Sequence, residues 1–198
     1  QLFNDSEHDA PGCFLLENLL PDSAPPAVDP DGVAGGMKRL SRAMPMLTQM
    51  MFAGWKMQTA NHPVNQIRVW TEMQNGALFT SDDIHYFIGS WKLAANEALH
   101  IEVTLPVCRH WNIVLYSPML NSLEHHYRCT SLTNARLQDV QNSIAQIVIA
   151  HQPGQYPNWL DSEGRPEGLL VIRATGVEGE ASLPVARVFK TGLETSHG

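Results

Sequence analysis

His151 and Asp161 bracket the segment Gln152-Pro153-Gly154-Gln155-Tyr156-Pro157-Asn158-Trp159-Leu160, and their residue types suit acid–base chemistry. An imidazole titrates near neutral pH, and a carboxylate bonded to one ring nitrogen fixes its tautomer. His151 ends an apolar run, Pro153-Gly154 turns the chain, and Asn158 to Asp161 leads back toward the next apolar run. One arrangement makes this loop a hydrolase-type site, with or without metal assistance, in which His151 is the acid/base and Asp161 its orienter. The other makes it a loop knitted to itself. There Asn158 and Asp161 bond nearby backbone N–H groups and the indole of Trp159 plugs one end of a sandwich. Trp111, Asn158 and Trp159 are the candidate ligand contacts, two indoles for stacking and one amide for hydrogen bonding.

Other chemistry is less well supported. His100, His110, His125 and His126 form no HxH pair and no i, i+4 pair on a helix, so no metal-ligand set is assigned. Cys108 and His110 lie on one face of a regular strand, about 7 Å apart, too far for direct proton transfer. Cys13, Cys108 and Cys129 lack CxxC spacing and read as buried free thiols. No G-x-S-x-G elbow, phosphate-cradling loop or dinucleotide fingerprint occurs, so no cofactor is assigned.

Strands and turns must position these residues. The 198 residues carry 13 Lys+Arg against 20 Asp+Glu, a net charge of −7, and only 17% are charged. The acidic balance argues against nucleic-acid binding, which needs a basic stripe. The low charge suits a surface partly covered by a partner. No apolar run reaches the roughly 20 residues that span a bilayer. The chain starts at Gln1 rather than Met, which suggests processing or a piece of a longer protein, with an envelope or secreted location favoured.

Residues 1–32 read as an N-terminal strand, Cys13 to Leu20, and a Pro-rich linker. Residues 33–60 read as helix: Met37, Leu40, Met44, Leu47, Met51 and Trp55 recur at steps of three and four. Asp31 is the expected N-cap, and Pro45 predicts two helices or a kink near Met44. A Met-rich stripe of this kind packs on a sheet or forms an adaptable groove. Residues 61–192 read as strands at 66–72, 84–93, 98–105, 111–117, 123–130, 144–151, 168–174 and 184–189. Residues 134–143 are either a polar strand or a short helical turn. In 98–105, Leu99, Ile101, Val103 and Leu105 alternate with polar residues. Many strands with no helix between them predict a mainly β fold, an antiparallel β-sandwich or jelly-roll-like domain.

The order of motifs from Glu97 onward carries a resemblance. Leu105-Pro106-Val107-Cys108-Arg109-His110-Trp111 precedes Ser131-Leu132. His151-Gln152-Pro153-Gly154 then leads to Asn158-Trp159-Leu160-Asp161, followed by Glu167-Gly168. This series, over roughly residues 66 to 190, resembles the bacterial domain of unknown function 1214. That resemblance implies a β-sandwich that often follows another β-rich domain in one chain, and it implies no reaction. Ser131-Leu132-Thr133 stands where that family usually has Ser-Leu-Asn, and Gln141-Asn142-Ser143 replaces its usual Asp-Gly turn, so the register between 131 and 144 stays open.

Taken together, the sequence points to a binding or assembly module of a larger protein. Its expected partners are a second copy or a neighbouring domain of the same longer chain. Strand exchange through residues 13–20 is a further route to assembly.

Overall fold

The computed structural model describes residues 27–73, 80 and 83–191. The strand expected at 13–20 lies outside them, as do Cys13 and most of the Pro-rich linker. Two compact units divide the chain, Gln1–Ala43 and Met44–Gly198. The described part of the first is the opening of α1, which runs from Pro30 to Asn61. Asp29 rather than Asp31 caps it. The Asp29 carbonyl takes the first helical bond from the Val33 N–H at 3.0 Å, and its carboxylate accepts from the Asp31 N–H at 3.1 Å. Pro30 then occupies the first helical position, where a missing N–H costs nothing. The helix passes through Pro45 as one element, so the expected division into two helices does not occur. Pro45 is exposed, on the side of the helix where carbonyls deprived of their partner still reach water.

The second unit is a sandwich of two sheets. Strands β1 (Gln66–Val69), β2 (Ile84–Lys92), β8 (Glu167–Val177), β4 (Cys108–Tyr116) and β5 (Ser131–Thr133) form one, in the order β1-β2-β8-β4-β5. Strands β7 (Trp159–Asp161), β6 (Ile144–Ala150), β3 (Glu97–Thr104) and β9 (Val185–Lys190) form the other, in the order β7-β6-β3-β9. All pairs are antiparallel except β6 and β7, which run parallel. The mainly β sandwich expected from the sequence is therefore the fold.

Alternation decides which residues meet between the layers. Leu99, Ile101 and Val103 of β3, Ile147 and Ile149 of β6 and Leu160 of β7 face Trp111, Ile113 and Leu115 of β4 and Leu170 and Ile172 of β8. Full burial of each such side chain contributes roughly 1.5–3 kcal/mol. Trp91 lies over Gly168, where an added Cβ would stand 2.6 Å from the Tyr116 carbonyl. No other residue type fits there without moving a strand.

The outer faces are covered unequally. On the five-stranded sheet, Tyr86, Ile88, Leu169 and Val171 pack against Trp55 of α1 and Trp70. On the four-stranded sheet, Ala98, Val148 and Ala150 carry Tyr156, Trp159 and Phe189. The span 123–130, expected as a strand, is a loop between β4 and β5. Its polar groups bond locally: the Thr130 hydroxyl donates to the Glu124 carbonyl at 3.2 Å, and the Glu124 carboxylate accepts from the His126 N–H at 2.7 Å. Of the stretch 134–143 left open in the sequence, residues 134–136 form a 3-10 turn and 137–143 are irregular, with an isolated bridge from Gln141 to Ile144.

Candidate functional site

β6 and β7 fix where His151 and Asp161 point. The two strands pair in parallel with Ala150 opposite Asp161, so His151 stands one residue past Asp161's partner. Successive side chains of a strand point to opposite faces, and Ser162 therefore shares the side of His151 while Asp161 does not. The hydrogen bonds follow. His151 Nδ1 meets the Ser162 hydroxyl at 2.8 Å, and Nε2 meets the Ala94 carbonyl at 3.1 Å. Asp161 instead accepts from the Arg128 guanidinium at 2.7 Å and from the Glu163 N–H at 2.7 Å. The expected His151–Asp161 dyad is not formed. His151 is a strut between the β2–β3 turn and the end of β7, and a hydrolase reading loses the pair on which it rests. Ser162 is fully buried, out of reach of a substrate.

The remaining candidates also hold the loop. Asn158 is buried and makes three side-chain bonds. Its Oδ1 accepts from the Gln138 N–H at 2.7 Å, and its amide donates to the Gln138 and Gln146 carbonyls at 2.9 Å each. Trp159 is half-buried on the outer face of β7, its indole N–H donating to the Ala150 carbonyl at 3.3 Å. It covers the flank of the four-stranded sheet rather than plugging the end between the layers. Trp111 is 1% exposed, a core side chain that no ligand can touch. Of the self-knit arrangement, Asp161 bonds the nearby Glu163 N–H, whereas Asn158 reaches outside the loop to Gln138 and Gln146 and Trp159 is no plug.

Open space adjoins the loop nonetheless. A cavity of about 420 Å³ lies between the β2–β3 turn and residues 150–156, lined by Glu97, His151, Gln155, Tyr156 and Thr191 among others. The Glu97 carboxylate is engaged with the Ala94 N–H at 2.9 Å. A second cavity, of about 300 Å³, lies between the last turns of α1 and the outer face of the five-stranded sheet. Its wall holds Arg68, which clasps Glu72 through both carboxylate oxygens at 2.8 and 3.0 Å and donates to Gln58 Oε1 at 2.8 Å. The Arg68 guanidinium draws the Glu72 carboxyl down to about 2. No sequence motif marks this cavity directly. Its signals were the Trp55 and Trp70 pair flanking a short turn and the i, i+4 spacing of Arg68 and Glu72.

His125 and His126 lie in the loop that replaces the expected strand, their ring centroids 4.3 Å apart and tilted by 33°. The His126 backbone N–H, then its ring, holds the Glu124 carboxyl below its usual range. Burial pushes the Cys108 and Cys129 thiols up, the opposite of what a nucleophile needs. Among the described residues no three His, Cys, Asp or Glu side chains gather to hold a metal ion, and no helix is long and apolar enough to cross a membrane.

The geometry defines a two-layered β-sandwich with one long helix and a structural His-x-Pro-Gly loop. No family model matches the chain, and no curated protein matches it. Among solved structures it is similar to an uncharacterised protein from Burkholderia cenocepacia, with a TM-score of 0.71 and 27% identity, covering 85% of this chain and 46% of that one. The VPA0106 protein from Vibrio parahaemolyticus aligns with a TM-score of 0.43 and 16% identity, over 55% of this chain and 31% of that one. This chain spans less than half the length of either.

Proposed function

We propose that the chain is the β-sandwich module of a larger bacterial protein akin to domain of unknown function 1214, serving binding or assembly. The observation that carries this reading is the apolar stripe of α1. Met51 and Trp55 are half-buried, whereas Met44 and Leu47 of the same stripe are 52% and 46% exposed. Met46, Met50 and Phe52 add to the exposed apolar surface of these turns. An exposed methionine-rich surface of this kind is the mark of an adaptable contact face. The greater length of the Burkholderia cenocepacia protein supports a neighbouring domain as the body that covers it. A second copy of the chain has the same chemistry to offer.

Either partner leaves an isolated chain with an uncovered apolar face, and the test follows from that. Sedimentation velocity of the 198-residue chain is expected to show concentration-dependent self-association, which Met44→Lys with Leu47→Lys abolishes while the β-sheet circular dichroism is retained. A wild-type chain that stays monomeric at every concentration, or a double variant that associates equally well, overturns the reading.

A further inference from the structure

The cavity under the last turns of α1 has the attributes of a ligand site. Gly54, Met57, Gln58 and Asn61 recur at i, i+3, i+4 and i+7, which places them along one edge of the helix, and all four line the cavity. Trp55 and Trp70 supply two indoles, with Ile88 and Leu169 of the sheet as the floor. About 300 Å³ is room for roughly ten waters at ~30 Å³ each, at the lower end of the range for small-molecule pockets.

Two further features narrow the ligand. Arg68 and Glu72 answer each other's charge within the wall at 2.8 and 3.0 Å, so a charged guest would compete with a formed pair, and His62 is the other titratable side chain of the wall. Gln58 is 8% exposed. Its Oε1 is taken by Arg68 at 2.8 Å, while its amide N–H₂ has no hydrogen-bond partner among the described residues. An unpartnered amide donor on the cavity wall offers a hydrogen bond to an acceptor on the guest.

We propose that this cavity binds a neutral, flat, mainly apolar molecule of two or three rings bearing one acceptor oxygen, which takes the Gln58 amide proton. The rings lie against Trp55 and Trp70, where aromatic faces favour planar guests. The site is separate from the exposed Met44 and Leu47 stripe, so it stands or falls independently of the assembly reading.

The test uses the full chain and Prodan, a neutral naphthalene carrying a carbonyl, whose emission shifts to the blue on leaving water. Saturable binding at one site, with quenching of tryptophan emission, is expected. Gly54→Leu is expected to lower affinity about tenfold or more. An added Cβ at Gly54 meets nothing within 4 Å, so this variant folds, and its thermal midpoint should be kept or raised. Gln58→Met is expected to weaken Prodan but not 2-ethylnaphthalene, which lacks the carbonyl. The Met44→Lys, Leu47→Lys chain should bind Prodan as the wild type does. Absence of one-site binding, or a Gly54→Leu chain that binds equally well, overturns the site. Equal effects of Gln58→Met on both probes overturn the assigned acceptor contact, and loss of binding in the double-lysine chain places the probe on the helix stripe instead.

Discussion

Replacing Asn158 by Ala removes the three side-chain bonds that tie the 134–143 segment to β6. Each such bond is worth about 1 kcal/mol net, and a buried group left unpaired costs about 1–3 kcal/mol. Gln138 is exposed, so its freed N–H and carbonyl recover water, while the Gln146 carbonyl is left facing the space that the amide filled. The sum is a loss of about 2–4 kcal/mol. For a unit of this size that lowers the thermal midpoint by about 5–15 °C. Urea unfolding followed by tryptophan emission measures it, with the midpoint shifted and the slope unchanged. Asn158→Asp separates hydrogen bonding from volume. The carboxylate still accepts from Gln138 but opposes two carbonyl oxygens, so its folded-state pKa is raised. Its stability is therefore recovered in acid, where a proton restores one donor, and lost as pH rises. A loss below about 0.5 kcal/mol for Asn158→Ala, within the range of an ordinary surface change, would refute the reasoning.

Trp111→Ala should cost about 3–5 kcal/mol in urea unfolding, the mark of a core residue; an unchanged stability would return Trp111 to the ligand candidates. Glu72→Gln should be less stable than wild type above pH 4.5, where the Arg68 pair is fully charged, and the deficit should shrink as pH falls through about 2. The depressed Glu72 pKa, about 2, sets that window, since stability from a lowered carboxyl is lost as pH falls through it. With the Glu72 side chain 59% exposed, screening holds the difference to about 1 kcal/mol or less. A deficit that does not diminish at all between pH 4.5 and the folded-state pKa contradicts the pairing.

The sandwich was legible because its central strands show either the two-residue rhythm or a short apolar run between turns. β3 is the plainest, and β6 and β8 are apolar runs bounded by turn residues. The span 123–130 was misread because His, Tyr and Cys together resemble an aromatic-rich strand. What decides it is the competition of the Glu124 and Thr130 side chains for the backbone, which periodicity does not register. The short β5 and β7 are three residues each, below the length at which alternation can be seen. The site was harder still. His151 and Asp161 flank one loop, but whether they face each other depends on the parallel register of β6 and β7. That register is a long-range fact which shifts every side chain by a face for a slip of one residue. Asn158 was expected to bond within its own loop, but its partners Gln138 and Gln146 come from segments that the loop does not contain, and no local pattern marks them. Trp111 was taken for a ligand contact only because exposure cannot be read from residue type. The apolar stripe of α1 was read correctly as a stripe. That Met44 and Leu47 remain exposed while Trp55 packs against the sheet is a matter of where the helix meets it.

Amide hydrogen exchange along α1, measured over a series of protein concentrations, bears most directly on the claim that the chain is an assembly module. Residues 51–61 are expected to be protected at all concentrations, since Trp55 and Gln58 are anchored on the sheet. Residues 44–50 are expected to exchange quickly in dilute solution and to gain protection as concentration rises, an effect absent in the Met44→Lys, Leu47→Lys chain. Exchange across 44–50 that is independent of concentration, and identical in the two proteins, would contradict the claim.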